Sequence, residues 1–269
     1  MALLAVPQPY DFERSLDRFT FWGVDRATVW LDGSLYRVVD GREVRISPAP
    51  GGVNVEPLDA TVEPVVRRLL GLDFDLPPFV AFARHDPVLA EAVRLLPGFR
   101  PPLAPDPFEA LVSSITAQQV SLHAAFAVRG RFIERFGIPA EHAAAFPTRE
   151  RVASATEGEL MTLGFSRRKA EYVLGVARAD LHLEELAGLP DDEVKARLTA
   201  LRGLGEWSAD WFLARYLARP EAWPAGDLGL RKAVLAFYPD VTDVRVAGVR
   251  FHPFQNLSAH YLLALSRYR

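Results

Sequence analysis

Two Asp-Gly pairs near the start of the chain constrain its fold more than any other feature. Asp32-Gly33 and Asp40-Gly41 lie in TVWLDGSLYRVVDGREVRIS, each between β-branched and aromatic residues. An Asp-Gly pair favours the two-residue turn of a β-hairpin, because both central positions of that turn need a positive φ. We therefore predict three antiparallel strands, with NVEP as a candidate for another and VEPVVRRLLGL as a helix against the sheet. The three strands are expected at about residues 27–31, 34–39 and 42–47.

Helical character begins after a proline-rich connection at residues 97–107. Asp106-Pro107-Phe108-Glu109 is a favourable helix start, since Asp can cap the first turn, Pro suits its first position and Glu its third. The fold class is thus predicted to be α+β: a small N-terminal antiparallel sheet lobe (1–97) followed by a mostly helical body (98–269). Helices are expected over residues 108–118, 122–136, 167–180, 191–200, 207–218, 228–237 and 253–267.

Composition excludes several classes of protein. The chain has no cysteine, which rules out disulfides, thiolate zinc sites and cysteine-held iron–sulfur clusters. It has no run of about 18 apolar residues and no basic region at its N-terminus, so we expect a cytoplasmic protein without a membrane partner. The net charge is −3, so any surface that binds DNA must be local, with backbone amides supplying much of the hold on phosphate.

Residues 191–218 are predicted to form a helix, a turn of about five residues and a second helix. Gly203 and Gly205 would give this turn backbone freedom where a side chain would clash. The first amides of the second helix have no partner within it, and together with the helix dipole they form an anion site. A simple packing joint between two helices fits the same residues.

Two tryptophans and an aspartate follow this turn. Trp207 and Trp211 lie one helical turn apart and therefore on one face, as in either a core or a binding pocket. Asp227 follows Pro-Ala-Gly at the start of a helix, where Asp is a favoured N-cap. On these residues alone, both a capping role and a chemical role are open for Asp227.

Together these segments resemble the bacterial 3-methyladenine DNA glycosylase II family, within the helix–hairpin–helix DNA glycosylase superfamily. The similarity is carried by ALRGLGEWSADWFLARYL, PAGDLGLRKAV, PFEALVSSITAQQVS and LGFSRRKAEYVLGVA, with a weaker match at QPYDFERSL. The resemblance implies a monofunctional DNA glycosylase for base excision repair. Such an enzyme hydrolyses the N-glycosidic bond of alkylated bases in double-stranded DNA, and we expect it to act as a monomer.

The resemblance assigns the catalytic carboxylate to Asp227, which would stabilise the oxocarbenium character of the sugar as the bond breaks. Trp211 and Trp207 would line the substrate pocket, with Tyr261 and Phe251 as weaker candidates. The aromatic residue of the family pocket aligns with Leu263, which is a departure from the family pattern.

The resemblance also implies contacts with DNA and a cation. Gln119 aligns with the residue that fills the gap left by the extruded base, where some relatives have an apolar wedge. The carbonyls of three hairpin residues would hold a structural monovalent or divalent cation, and no cofactor is expected for catalysis. The other predicted DNA contacts are Gly203, Gly205, Trp207, Ser208, Arg167, Arg168 and Lys169, and the predicted cation ligands are Thr199, Leu201 and Leu204.

Trp207 stands where bifunctional relatives carry a Schiff-base lysine, so no lyase activity is expected. Lys232, five residues beyond Asp227, is expected to reach a phosphate or solvent. His123 and His142 show no grouping typical of a metal site or a catalytic triad. Three alternatives remain: the same fold acting on other damaged purines, a non-catalytic module that binds distorted DNA, and a helical interaction scaffold.

Overall fold

The computed structural model describes residues 2–268, which begin with a five-stranded antiparallel sheet. Both Asp-Gly pairs form its tight turns, with φ values of +48° for Asp32 and Asp40 and +70° for Gly33 and Gly41. These turns confirm the predicted three-strand unit. The strand order is β1-β5-β4-β3-β2, and the strands are β1 (Ala2–Ala5), β2 (Thr28–Leu31), β3 (Ser34–Val39), β4 (Arg42–Ala49) and β5 (Gly52–Glu56).

Helices make up most of the remaining described residues, so the predicted α+β class is confirmed. Two short strands, β6 (Ile138–Pro139) and β7 (Ala144–Ala145), form a separate ribbon. The helices are α1 (Phe12–Leu16), α2 (Arg18–Phe21), α3 (Val62–Leu69), α4 (Leu76–Ala83), α5 (Pro87–Leu95), α6 (Pro107–Ala117), α7 (Leu122–Phe136), α8 (Arg149–Ala153), α9 (Glu157–Thr162), α10 (Arg167–Arg178), α11 (Asp191–Thr199), α12 (Glu206–Arg215), α13 (Leu228–Phe237), α14 (Val244–Ala247) and α15 (Gln255–Tyr268).

The buried apolar residues form three clusters. One lies between the sheet and helices α1 and α3. A second joins α6, α7, α10, α11 and α12, and a third joins α4 and α5 to α13 and α15. Leu263 packs against both helical clusters, so the boundary between them runs beside this residue.

Helices α4 and α5 fall inside the predicted lobe of residues 1–97, yet they pack with the C-terminal helices. The chain therefore passes from the sheet cluster to the helical clusters just after Leu70, which is the last buried residue of the sheet cluster. The domain boundary at residue 97 remains a prediction.

A buried ionic cluster connects the sheet to the helical body. Glu109 on α6 accepts hydrogen bonds from Arg37 on β3 and from Arg129 on α7, the latter at 2.7 Å. Arg129 also pairs with Asp25, and each of the four side chains is almost fully buried. The cluster holds the lobe in one orientation because every charge in it has an opposite charge beside it. Within residues 2–268, no helix is long and apolar enough to cross a membrane.

Candidate active site

Asp227 is the N-cap of α13 and is half-buried. Its Oδ1 accepts the backbone amide of Leu230 at 2.9 Å, which is the capping bond that the sequence predicts. Its Oδ2 accepts the indole Nε1–H groups of both Trp207 and Trp211, each at 3.1 Å. The carboxylate is thus held by three neutral donors, which stabilise its charge without cancelling it.

The two tryptophans project from one face of α12 toward Asp227, as their spacing predicts. Trp211 is 6% exposed, whereas Trp207 is half-buried and lies nearer the surface. Their common acceptor makes Asp227 part of a preorganised site that links the starts of α12 and α13.

Two further polar side chains contact Trp211. The guanidinium carbon of Arg215 lies 3.8 Å from the centre of the indole ring, and His260 meets that ring edge-to-face at 5.6 Å. Burial, followed by the nearby charge of Arg18, lowers the pKa of Arg215 to about 9, while Asp227 acts in the opposite direction.

Two predicted pocket residues belong to the core instead. Tyr261 is fully buried, donates its hydroxyl to the carbonyl of Phe99 and packs against Phe79. Phe251 is also fully buried and packs against Trp223 and Tyr238. We therefore correct both assignments.

Leu263, by contrast, does lie beside the site. A side chain on Gly229, two residues after Asp227, would meet the Leu263 methyl group at 3.2 Å. The aliphatic residue at this position therefore narrows the space next to the carboxylate without offering an aromatic surface.

The two hairpin glycines have different roles. Gly203 has φ +91°, and a Cβ there would lie 2.0 Å from the Tyr172 ring, so only glycine fits. Gly205 is the N-cap of α12 in an extended conformation, and a Cβ there would meet no protein atom within 4 Å. The expectation of a clash at Gly205 is therefore wrong, although open space at this position suits the close approach of a ligand.

The amides of Gly205, Glu206 and Trp207 have no backbone carbonyl partner among the described residues. Unpartnered amides in the first turn of a helix can bind an anion, and the anion site at α12 remains a prediction. Ser208, predicted to contact DNA, is 1% exposed and lies 3.4 Å from Gln118, so we correct that assignment.

The segment after α6 presents Gln119 to solvent. Gln119 has φ +54°, an uncommon conformation for a residue other than glycine, and its side chain is exposed. The preceding Gln118 donates its side-chain amide to the carbonyl of Gly203 at 2.8 Å. Gln118 therefore ties the segment that carries Gln119 to the hairpin.

The predicted basic patch at the start of α10 is divided. Arg167 and Arg168 are exposed and have no partner within residues 2–268. Lys169 instead donates to the carbonyl of Thr116 at 2.9 Å, and burial lowers its pKa. The two arginines are thus free to meet a phosphate, while Lys169 supports the end of α6. Lys232 is exposed on α13, as expected.

The two histidines singled out from the sequence contact other groups than Asp227: His123 packs on Trp22, and His142 on Tyr36. His142 does have a carboxylate neighbour: its Nδ1 lies 2.8 Å from Glu43, which also accepts the backbone amides of His142 and Ala143. Glu141 lies close to the same ring. Glu43 thus fastens the β6–β7 ribbon to β4, an arrangement that sequence spacing did not reveal.

The sequence motifs do not single out Arg215, His260, Phe21 or Trp22. Arg215 lies four residues after Trp211, so helical spacing could have identified it. Trp22 packs edge-to-face on His123 at the start of α7 and also contacts the ring of exposed Phe21. No local signal in the sequence indicates that loop contact.

Comparison with known proteins agrees with this geometry. Residues 112–243 match the family described as HhH-GPD superfamily base excision DNA repair protein. The chain belongs to this superfamily. The matched range contains the Gln119 segment, the hairpin, both tryptophans and Asp227, so it covers the whole arrangement apart from α15 and the N-terminal lobe.

Individual curated proteins are similar to longer stretches of the chain. A DNA-3-methyladenine glycosylase of Bacillus subtilis (strain 168) is 35% identical over 173 residues, which are 61% of this chain and 57% of that protein. A "Probable bifunctional transcriptional activator/DNA repair enzyme AlkA" of Mycobacterium tuberculosis (strain H37Rv) is 31% identical over 278 residues, covering 96% of this chain and 55% of that protein. The chain therefore spans a little over half the length of these curated relatives.

A solved structure matches the complete fold. The "3-methyladenine dna-glycosylase from Archaeoglobus fulgidus" aligns with a TM-score of 0.90 and 28% identity, covering 100% of this chain and 99% of that chain. The similarity includes the N-terminal sheet lobe, for which the sequence evidence is weaker.

Proposed function

We propose that this protein is a monofunctional DNA glycosylase that hydrolyses the N-glycosidic bond of alkylated, 3-methyladenine-type bases in double-stranded DNA. The observation that carries the proposal is the placement of Asp227 between two indole N–H groups, next to a hairpin whose first-turn amides are free. The names of the relatives in Bacillus subtilis and Archaeoglobus fulgidus support the same substrate class.

The hairpin would hold the DNA backbone. An enzyme that acts on the bond between base and sugar must extrude the nucleotide from the duplex, at a cost of a few kcal/mol. Amides at Gly205, Glu206 and Trp207 would bind a phosphate of the damaged strand, with Arg167 and Arg168 adding charge. Gln119 would fill the gap in the duplex and hydrogen-bond to the orphaned base.

Asp227 would act on the sugar. As the glycosidic bond breaks, positive charge develops on the sugar ring, and a fixed carboxylate stabilises that charge without having to reorganise. The same oxygens can orient or deprotonate the attacking water. Bases such as 3-methyladenine already carry positive charge, so they need no general acid in order to leave.

The position of Trp207 supports hydrolysis without lyase activity. A lyase of this superfamily needs an amine at that position, and an indole cannot form a Schiff base. Trp207 instead spends its N–H on Asp227. We therefore expect borohydride to trap no covalent complex between this protein and damaged DNA, and a trapped adduct would contradict the assignment.

A structural cation at the hairpin is part of the proposal. Within residues 2–268, no loop or turn amide donates to the carbonyls of Thr199 and Leu204. The carbonyl of Leu201 accepts one hydrogen bond, from the amide of Leu204. Carbonyl oxygens with free lone pairs suit a hard cation. Such a cation would add positive charge near the phosphate and would take no part in bond cleavage.

The test is base release from duplexes that each carry one lesion, under single-turnover conditions. Asp227→Asn is expected to lower release by at least about a hundredfold, since the charge beneath the sugar is lost. Asp243→Asn is the matched control, because Asp243 also caps a helix, α14, but lies outside the site. Near-normal release by Asp227→Asn would make the residue a cap only and would refute the proposed chemistry. The cytoplasmic location and the monomeric state remain predictions.

A further inference from the structure

His260 on α15 carries an unused hydrogen-bond acceptor beside the candidate active site. The side chain is 7% exposed, and its Nδ1 lies 3.0 Å from the carbonyl of Asn256. A carbonyl only accepts, so Nδ1 must carry the proton and Nε2 must carry the lone pair. Nε2 is buried and has no partner among the described residues.

The imidazole stays neutral at physiological pH. Burial lowers the pKa of His260 to about 3, and the positive charges of Arg215, Arg18 and Arg267 act in the same direction. The surrounding cations and the Asn256 carbonyl thus keep one tautomer, with Nε2 as a permanent acceptor.

Two contacts place His260 beside Trp211 and Asp227. Its ring meets the edge of Trp211, whose indole N–H is bonded to Asp227. Leu263, which follows on the same face of α15, lies against Gly229 beside Asp227. The face of α15 that carries His260 is therefore the face that adjoins the carboxylate.

A donor without a partner lies on the same indole. The guanidinium of Arg215 stacks over Trp211, and its Nε–H is buried with no hydrogen-bond partner among the described residues. Trp211 is thus flanked by one unsatisfied donor and one unsatisfied acceptor. A polar group that is buried without a partner destabilises the protein, so a ligand that pairs with both groups gains binding energy from the match.

We propose that His260 is a specificity-determining residue, which accepts an N–H from the edge of the extruded base while Arg215 donates to the neighbouring acceptor of that base. The proposal rests on the function proposed above and names the substrate class more narrowly. It selects damaged purines that keep an N–H next to an acceptor on the Watson–Crick edge.

The chemistry of alkylated purines separates those that fit from those that do not. 7-Methylguanine offers N1–H beside O6, and 3-methyladenine offers its exocyclic N–H beside N1. In 1,N6-ethenoadenine the etheno bridge removes every N–H from that edge. An ethenoadenine in the pocket would leave His260 Nε2 buried and unpaired, which is how polar sites reject analogues that lack one hydrogen-bonding group.

The experiment measures single-turnover release of 7-methylguanine and of ethenoadenine from otherwise identical duplexes. The ratio of the two rates is compared between the wild-type protein and its His260→Leu variant, so that the different charges of the two bases cancel. We expect the ratio to fall about tenfold in His260→Leu, because the acceptor that distinguishes the lesions is gone. His260→Gln, whose side-chain carbonyl also accepts, should keep part of the preference.

Controls separate this idea from a packing role. His182→Leu makes the same change at an exposed histidine and should leave the ratio unaltered. Thermal unfolding monitors the fold of each variant, and His260→Gln provides a second test should His260→Leu be unstable. A folded His260→Leu with the wild-type ratio, or a Gln variant no different from Leu, would overturn the proposal. A wild-type protein that releases neither base would instead refute the proposed glycosylase activity.

Discussion

Glu109 and Asp227 are carboxylates at the starts of two helices, but their partners differ in kind. Glu109 is 5% exposed and lies between Arg37 and Arg129, so two positive charges surround it. Asp227 is half-buried, and its partners are two indoles and a backbone amide, all of them uncharged. One carboxylate is neutralised by its neighbours, whereas the other is only held in place.

This difference separates a structural charge from one available for chemistry. A buried carboxylate paired with arginines contributes to the orientation of the lobe. Because the arginines balance its charge, it attracts a cationic ligand only weakly. A carboxylate held by neutral N–H groups keeps its charge and can stabilise a cation that forms beside it. Helix position alone does not distinguish the two residues.

The largest effect on stability is expected from Glu109→Gln. The change removes the carboxylate that pairs with Arg37 and leaves Arg129 with Asp25 alone, which should lower the free energy of unfolding by about 3–5 kcal/mol. Urea denaturation measures this loss. Glu159→Gln, which breaks the exposed pair between Glu159 and Arg135, is the control and should change the midpoint very little.

The ionic cluster around Glu109 should also make the free energy of unfolding depend on pH in the acid range. Burial alone would raise the pKa of Glu109, but Arg37 and Arg129 outweigh it and lower that pKa to about 2. Its stabilisation is therefore complete above about pH 4.5 and is lost as the pH falls toward 2. The difference in stability between wild type and Glu109→Gln should shrink over that interval. A difference independent of pH there would mean that the charge of Glu109 is not what holds the lobe.

The sequence predicted the parts of the fold that local chemistry determines. Asp-Gly turns and the Asp106 cap carry their conformation within two to four residues, and the structure has both. Asp86-Pro87 carries the same cap signal, but the proline-rich stretch around it was not interpreted as helical, so α4 and α5 were missed.

Site residues could be predicted where their spacing along one helix places them on a common face. They could not be predicted where the answer depends on which face of a helix is turned toward Asp227. Trp207 and Trp211 share a face by spacing alone. On α15, nearly every residue from Gln255 to Leu265 is buried, so no polar face reveals which side adjoins Asp227. Tyr261 was chosen there, whereas His260, about 100° away around the helix, faces Trp211.

A smaller effect is expected at the hairpin, where the two glycines should respond differently. Gly203→Ala forces a Cβ into the Tyr172 ring at a positive φ and should cost about 1–3 kcal/mol of stability. Gly205→Ala meets no protein atom and should leave the unfolding midpoint unchanged within about 0.5 kcal/mol.

Affinity for a duplex with an abasic-site analogue gives the second measurement on this pair. If a phosphate approaches the amide of Gly205, the added methyl group should weaken binding severalfold in Gly205→Ala although its stability is intact. Unchanged affinity in that variant would argue against a phosphate at the start of α12.

The rate of base release can show whether the neutral donors matter to Asp227. Trp207→Phe keeps an aromatic, though smaller, ring and removes the indole N–H that Asp227 accepts, and it should slow the single-turnover rate about tenfold at saturating protein. Trp223→Phe is the control, since its N–H bonds to the carbonyl of Val244 away from the site. The loss should be much smaller than in Asp227→Asn, because Trp211 still holds the charge in place. A rate equal to that of wild type would show that the helix cap alone positions Asp227. Asp227 and Glu109 would then differ in the solvent exposure of their carboxylates and not in whether their hydrogen-bond donors are charged.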